Sequence, residues 1–97
     1  MRFVYLSHRA AEDLEEIFCY IARDNAAAAQ HMYEKLENKC GLLAMHPKMG
    51  QARDEFSIAV RSFGVTPYAI FYRETEDGIE VVRVVHARRD LKNIEMN

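Results

Sequence analysis

The sequence predicts an α+β fold in which an antiparallel helical hairpin packs on a mostly antiparallel sheet. Three observations carry this prediction. A short β-favouring segment opens the chain at Phe3–Leu6. Two segments follow, at about 8–23 and 26–45, in which apolar residues recur every three or four positions. Three β-favouring runs then end the chain, an order of elements that is typical of this architecture.

Both predicted helices have recognisable ends and one apolar face each. Ser7 is placed to cap the first helix, and Asp24 or Asn25 to cap the second. Pro47 ends the second helix, because the residue before a proline is pushed out of the α region. The acidic residues off the first stripe, Asp13 among them, are expected in solvent. The two stripes are Ala10, Leu14, Ile17, Phe18 and Ile21, and then Ala29, Met32, Tyr33, Leu36, Cys40 and Leu43.

The three predicted C-terminal strands cover about 59–65, 68–74 and 79–86, after a loop at 46–57. Asp77-Gly78 predicts a tight turn between the last two strands. The last strand carries valines at 81, 82, 84 and 85, so it is apolar on both faces. This pattern predicts a central strand that is covered on both sides.

Composition and charge limit the classes of function. A chain of 97 residues corresponds to a single domain, 1–97, and 49% hydrophobic with 29% charged residues is typical of a globular protein. The net charge of −2 argues against a protein that holds a long stretch of nucleic acid by its phosphates. No apolar run approaches the roughly 18 to 20 residues of a membrane span, and the apolar N-terminal run is too short for a signal peptide. We therefore expect a cytoplasmic protein.

The cysteines and histidines predict no cofactor or metal site. Cys40 falls on the inward stripe of its helix, whereas Cys19 falls opposite its stripe, so a disulfide between them is not expected. They lack CxxC spacing. The four histidines are scattered over different elements without the close spacing of metal ligands.

Arginines are the strongest candidates for binding. Arg61, Arg73 and Arg83 lie one on each C-terminal strand, and Arg88 and Arg89 follow the last strand. Neighbouring strands would bring them close if register and face agree. Such a cluster binds a phosphate or a partner's carboxylates. The alternative is pairing with a nearby acid of this chain, such as Glu74, Glu80 or Asp90.

His86 and the tyrosines each have a structural interpretation beside a functional one. His86 is able to act as a general acid or base. The favoured interpretation is that it closes a core edge through a backbone hydrogen bond. Tyr68 and Tyr72 are expected to be half-buried, with hydroxyls at the sheet edge. Tyr5, Tyr20 and Tyr33 are expected to serve packing.

Several segments, in order, resemble the ParE side of the RelE/ParE superfamily of bacterial toxin–antitoxin toxins. Residues 7–17 resemble the family's first helix, with an alanine, then Asp-Leu, then Ile. Residues 43–50 resemble its Leu-Pro-Gly loop, and Arg61, Tyr68 and 70–73 its arginine and tyrosine pattern. Residues 82–90 resemble its closing strand, with a His-x-Arg-Arg signature at 86–89. The resemblance covers nearly the whole chain and implies the fold predicted above.

The resemblance also implies a partner and a choice of target. Such toxins are encoded with a small antitoxin, here expected to be ParD-like, with a DNA-binding N-terminal part and a disordered segment that folds on the toxin as a hetero-oligomer. RelE-like members are ribosome-dependent mRNA endonucleases, often with a tyrosine near the C-terminus. ParE-like members inhibit DNA gyrase. Here the last tyrosine is Tyr72 and the chain is acidic, and both departures favour ParE.

The leading hypothesis is therefore a gyrase-directed toxin that acts by binding, with no catalytic residues. In the alternative, an mRNA interferase, Arg61 and Arg83 would stabilise charge on the scissile phosphate and His86 would move a proton. A third interpretation is an inactive toxin that only binds its antitoxin. We expect the antitoxin to lay an amphipathic helix in the groove between hairpin and sheet and to add a strand at the sheet edge. Candidate contacts for antitoxin or target are Arg61, Tyr68, Arg73, Arg83, His86, Arg88 and Arg89.

Overall fold

The computed structural model describes residues 2–91, 94 and 96. Within them the elements are β1 (Phe3–Leu6), α1 (His8–Ala22), α2 (Ala26–Met45), a short 3₁₀ helix (Pro47–Met49), β2 (Gln51–Arg53), β3 (Val60–Val65), β4 (Tyr68–Thr75) and β5 (Gly78–His86). The five strands form one sheet in the order β1-β5-β4-β3-β2. β1 is parallel to β5 and all other pairs are antiparallel. The predicted α+β fold is confirmed.

Both helices begin at the predicted caps. The Ser7 hydroxyl accepts a hydrogen bond from the Ala10 amide at 2.9 Å, and the Asn25 side chain accepts one from Ala28 at 3.0 Å. Each bond satisfies an amide that the helix itself leaves unpaired. The two helices pack on each other and on the sheet. No helix among the described residues is long and apolar enough to cross a membrane.

The predicted loop at 46–57 contains a strand that the sequence did not indicate. β2 pairs with β3, with Gln51 opposite Ser62 and Arg53 opposite Val60. Gln-Ala-Arg has no β-favouring pattern, so contacts with the rest of the fold determine this strand. The Arg53 guanidinium donates to the Ser62 hydroxyl at 3.0 Å and lies 5.4 Å from the centre of the Phe71 ring.

Buried residues form a cluster on each face of the sheet. The cluster between helices and sheet includes Leu36, Leu43, Ile70, Tyr72, Ile79, Val81 and Val84. The cluster on the other face is formed by Val60, Ala69, Phe71, Val82, Val85 and Met96. β5 lies between β1 and β4 and contributes to both clusters. The prediction of a central strand covered on both sides is confirmed.

A tight turn joins β4 and β5 as predicted, but it lies one residue earlier than the predicted Asp77-Gly78, and the glycine serves a different purpose. Thr75 pairs with Gly78, so Glu76 and Asp77 make the turn and Gly78 opens β5. Gly78 also lies opposite Phe3 of the parallel neighbour β1. A Cβ at this position would collide with the Phe3 carbonyl group, so glycine permits the close approach of β1.

Candidate functional site

The C-terminal half of β5 is completed by α1 and its cap. β1 ends at the level of Val81, and beyond it the Ser7 amide donates to the Val81 carbonyl at 3.0 Å. The Ser7 hydroxyl donates to the Val82 carbonyl at 2.8 Å, and Asp13 accepts from the Val84 amide at 3.0 Å. These groups replace a missing strand neighbour, so the buried backbone of β5 stays hydrogen-bonded.

Asp13 and Arg83 form a buried, bidentate ion pair at this point. Arg83 Nε donates to Asp13 Oδ2 at 2.8 Å and Nη2 donates to Oδ1 at 3.1 Å. The side chains are 9% exposed for Arg83 and 7% for Asp13. The hydrogen bond to Asp13 raises the pKa of Arg83, although burial opposes the shift. The expectation of a solvated Asp13 is wrong, and the acid that pairs with Arg83 is not one of the nearby acids proposed from the sequence.

The turn after β5 is built around the imidazole of His86. Its Nδ1 accepts hydrogen bonds from the amides of Arg88 at 3.3 Å and Arg89 at 3.2 Å. The His86 amide donates to Asp90 Oδ2 at 3.2 Å, and the Asp90 amide donates back to the His86 carbonyl at 3.0 Å. Because Nδ1 accepts, the ring carries its proton on Nε2. The geometry favours the structural interpretation of His86.

Two tyrosines flank this turn in different environments. Tyr68 packs edge-on against His86, with ring centres 5.7 Å apart, and is buried rather than half-buried as expected. Tyr20 is 56% exposed, so its predicted packing role is wrong. The guanidinium carbons of Arg89 and Arg23 lie 5.7 Å and 6.0 Å from the centre of its ring. The exposed tyrosine therefore holds two arginines by cation–π contacts.

These side chains line one concavity of about 540 Å³, which we call the β5-end site. Its α1 wall carries polar residues spaced four, three, four and three apart, so they fall on one helical face. That spacing is the signal by which the sequence could have revealed Asp13 and Tyr20. The polar residues of the β5-end site are Arg9, Asp13, Glu16, Tyr20, Arg23, Tyr68, Arg83, His86, Arg89 and Asp90.

Arg61 and Tyr72 instead hold the segment that follows α2. Arg61 donates to the Gly50 carbonyl at 2.8 Å. The Tyr72 hydroxyl donates to the Pro47 carbonyl at 2.7 Å and accepts from the Gly50 amide at 2.8 Å. Tyr72 is buried, hydroxyl included, so the expected edge position is wrong, and burial raises its pKa. A Cβ at Gly50 would collide with the Tyr72 hydroxyl.

The structure therefore divides the predicted site residues. Tyr68, Arg83, His86 and Arg89 share the β5-end site. Arg61 is four residues from Val65, which pairs with Tyr68 beside His86, so it lies about 13 Å along the sheet from that end. The remaining two arginines lie outside the site. Arg73 pairs with Glu80 at 2.6 Å, one of the acids proposed from the sequence, and Arg88 is exposed beside the site.

An apolar groove lies on the other side of α1, between the hairpin and β1. It encloses about 340 Å³, and its lining is Val4, Leu6, Leu14, Tyr33, Leu36, Glu37, Cys40 and Gly41. Burial, with a contribution from Glu37, raises the pKa of the Cys40 thiol to about 11. Tyr33 is partly exposed but packs edge-on against Phe18, with ring centres 6.3 Å apart, as predicted. Tyr5 is exposed and donates its hydroxyl to Asp77 at 2.8 Å. Cys40 is buried and Cys19 exposed, as predicted.

No group of three or more potential metal ligands comes together among the described residues. The arrangement of the β5-end site is suited to binding anions, since its exposed cations surround a concavity whose buried charges are already paired.

Residues 4–91 match the family model described as ParE toxin of type II toxin–antitoxin system, parDE. The chain belongs to this family. Toxin ParE1 of Mycobacterium tuberculosis (strain CDC 1551 / Oshkosh) is 35% identical over 88 residues, which cover 89% of this chain and 90% of the relative. Toxin ParE1 of Caulobacter vibrioides (strain ATCC 19089 / CIP 103742 / CB 15) is 30% identical over 82 residues, 84% of each chain. The chain is thus a ParE-like toxin of a type II toxin–antitoxin system, and the predicted ParE branch is confirmed.

A solved structure supports the fold independently. A chain of the chromosomal ParDE TA system from P. aeruginosa superposes with a TM-score of 0.72 at 19% sequence identity. The match covers 91% of this chain and 98% of that chain. At this identity the likeness concerns the arrangement of helices and strands.

Proposed function

We propose that this toxin inhibits DNA gyrase by binding it and makes or breaks no covalent bond itself. The observation that carries the proposal is the engagement by a buried carboxylate of Arg83, one of the three residues that RNA cleavage would use. Arg83 is held by Asp13, Nδ1 of His86 accepts two backbone hydrogen bonds, and Arg61 is held by the Gly50 carbonyl. Arg83 would have to leave Asp13 to act on a phosphate, whereas Nε2 of His86 and the remaining N–H groups of Arg61 are not used by these bonds. Membership of the ParE family supports the same conclusion.

Purified gyrase tests the proposal directly. Added to gyrase and plasmid DNA, the toxin should block supercoiling or cause cleaved DNA to accumulate. Toxin mixed beforehand with its antitoxin is the matched control and should restore supercoiling. A folded toxin without effect at large molar excess over gyrase would count heavily against the proposal.

Expression of the toxin alone separates the other interpretations. Growth arrest with DNA damage is expected, whereas transcripts cut on the ribosome would identify an mRNA interferase. Continued growth despite folded protein would support an inactive toxin that only binds its antitoxin. The three outcomes differ in readout, so one induction experiment distinguishes them.

We infer that a cognate antitoxin covers the apolar groove and the free side of β1. Four successive apolar side chains of this edge strand, at 3–6, are exposed. An exposed apolar edge strand invites pairing with another chain, and covering it removes that liability. A segment that folds on the toxin can add a strand to β1 and place an apolar helix face in the groove.

Two leucines provide a matched pair for testing the groove. Leu6 lies in the groove and is 45% exposed, whereas Leu42 is 41% exposed on α2 outside the groove lining. Leu6→Lys should weaken antitoxin binding at least about tenfold, because a charge would be buried without a partner. Leu42→Lys should bind like the parent. Equal effects of the two substitutions would remove the groove from the interface.

The arginine contacts are tested by titration with antitoxin at two salt concentrations. Alanine replaces in turn Arg61, Arg73, Arg88 and Arg89. Loss of an arginine whose ion pair is buried in the complex should weaken antitoxin binding by a few kcal/mol, much of it because the antitoxin carboxylate is left unpaired. Arginines at the rim should change mainly the salt-sensitive association rate. Parent-like binding by all four variants would leave these arginines for the target or for contacts within the toxin.

A further inference from the structure

The exposed cations of the β5-end site are spread along α1 and do not converge on a point. Arg9 and Arg23 are both exposed and fourteen residues apart, so they lie about 21 Å apart along the helix axis. Arg89 joins them from the turn after β5, beside Arg23 on the Tyr20 ring. A single carboxylate or a free phosphate cannot span this distance. An extended polyanion can.

The local charge is opposite in sign to that of the whole chain. Asp13 and Arg83 neutralise each other below the surface. The remaining charges of the lining are Arg9, Arg23 and Arg89 against Glu16 and Asp90. The chain as a whole carries −2. This face therefore attracts an anionic partner that the rest of the surface repels.

Tyr20 prepares two of these arginines for binding. Arg23 and Arg89 both lie within cation–π range of its ring, which restricts their conformations before a partner arrives. A guanidinium held in this way presents N–H donors to phosphate oxygens. The Nε of Arg89 also lies 3.6 Å from the Asp90 carboxylate, so a phosphate would compete with this exposed pair. His86 contributes indirectly. Its Nδ1 accepts a hydrogen bond from the Arg89 amide and so fixes the backbone of Arg89.

The lining favours a nucleic-acid backbone over a protein chain. Protein interfaces have an apolar core, which here is available in the groove on the other side of α1. In the β5-end site the aliphatic lining residues are Ile17, Val84 and Val85, and eight of the fourteen lining residues are arginine, histidine, aspartate or glutamate. Regularly spaced phosphates suit cations that are distributed along a helix.

We propose that Arg9, Arg23 and Arg89 bind the phosphate backbone of duplex DNA, so that the toxin touches the DNA that gyrase holds. This inference rests on the proposed function. Three phosphate contacts give only weak binding to free DNA, with a slope of about −3 for log affinity against log salt. The overall acidity excludes long stretches of DNA but agrees with a short contact that gyrase reinforces.

The first test is fluorescence anisotropy with a short labelled DNA duplex at low and physiological salt. The double substitution Arg23→Glu and Arg89→Glu should lower the affinity at least about tenfold and reduce the salt slope by about two. Lys35→Glu with Lys48→Glu is the control, because both lysines are exposed, lie outside the site lining and change the net charge equally. Undetectable binding of the parent at low salt, or an equal loss in the control, would overturn the inference.

The second test uses gyrase and keeps the two proposals apart. If the parent inhibits gyrase and the double glutamate variant inhibits equally well, the inference fails and the proposed function stands. If the parent does not inhibit gyrase, the proposed function fails, and the anisotropy experiment still decides whether the site binds DNA. Antitoxin titrations of the same variant complete the set. Loss of antitoxin binding with unchanged DNA binding would assign the site to an acidic peptide and overturn the inference.

Folding of the variants is checked by thermal unfolding. Arg89 is 57% exposed and Arg23 is exposed, so we expect both variants to fold like the parent. Arg23→Gln with Arg89→Gln provides a second variant that removes the charges without reversing them. It should lose DNA affinity by a smaller factor than the glutamate pair.

Discussion

The two sides of α1 present opposite kinds of surface. On one side, the β5-end site is polar, and its buried charges are paired within the toxin. On the other, the groove beside β1 is apolar, and Val4 and Leu6 remain exposed at its rim. The first surface is organised before any partner arrives. Covering the second surface with a partner stabilises the complex, by about 25 cal/mol for each Å² of apolar surface removed from water.

The difference comes from how each side completes the sheet. Beyond the end of β1, Asp13 accepts three hydrogen bonds, two from Arg83 and one from the Val84 amide. Along β1 itself, the strand pairs only with β5 within the described sheet. One side of β5 is therefore closed by side chains of the toxin, and the outer side of β1 has no strand neighbour within the described sheet.

The largest expected effect is that of Asp13→Ala. It would leave the Arg83 guanidinium and the Val84 amide buried without this acceptor, at a cost of about 3 to 5 kcal/mol in the free energy of unfolding. Urea denaturation at neutral pH measures the loss. Glu16→Ala, one turn further on the same face but exposed, should stay within about 0.5 kcal/mol. Similar values for the two variants would show that the β5-end site is not organised by the buried pair.

The next largest loss in the free energy of unfolding is expected for a substitution at the floor of the groove rather than at its rim. Leu36→Ala should cost about 2 to 4 kcal/mol, because this side chain is fully buried and its removal leaves a cavity. Val84→Ala, in the same buried cluster but in the lining of the β5-end site, is expected in the same range. Leu6→Ala at the rim should cost less than about 1 kcal/mol by the same urea assay. A large loss from Leu6→Ala would mean that the rim already belongs to the core and has little area to offer a partner.

The apolar periodicity was enough to predict the helices, the central strand and the inward side of Cys40. It was not enough for β2, whose pairing depends on contacts of Arg53 with Ser62 and Phe71 that lie distant in sequence. The sequence predicts a solvated Asp13, because an acid is rarely buried unless it is paired. Its partner Arg83 lies seventy residues away in the sequence, and the periodicity of a single helix does not predict a pair between such distant residues.

The candidate site was predicted only in part for the same reason. Tyr68, Arg83, His86 and Arg89 were all singled out, and the structure brings them together. The α1 wall lies outside that prediction, because the helical period of α1 identifies its apolar stripe and does not say that the polar stripe beside it faces a site. The fold thus follows from pattern, whereas the site depends on which polar face of α1 meets the end of β5.

Cys40, in the lining of the groove, is expected to make the stability of the toxin fall at alkaline pH. Burial raises the folded-state pKa of this thiol from 9.0 to about 11. The neutral thiol is therefore favoured in the folded state, and its contribution to stability is present below pH 9 and lost as the pH rises towards 11. The loss is at most about 2 to 3 kcal/mol. Urea unfolding on both sides of this window should show a steeper decline for the parent than for Cys40→Ala, since other titrating groups are common to both. Parallel declines would mean that water reaches the thiol.

The smallest expected effect is that of Cys19→Ser, at the rim of the β5-end site. The thiol is exposed, so the exchange of sulfur for oxygen should change the free energy of unfolding by no more than about 0.5 kcal/mol. A thiol reagent provides a second readout, because the thiolate is the reacting form and needs access. Native toxin should react quickly at Cys19 and slowly at Cys40, and Cys19→Ser should leave only the slow phase. Antitoxin in the groove should slow the Cys40 phase further and leave the Cys19 phase unchanged. A large loss of stability in Cys19→Ser, or protection of Cys19 by antitoxin, would place the partner on the polar side of α1 and reverse the assignment of the two surfaces.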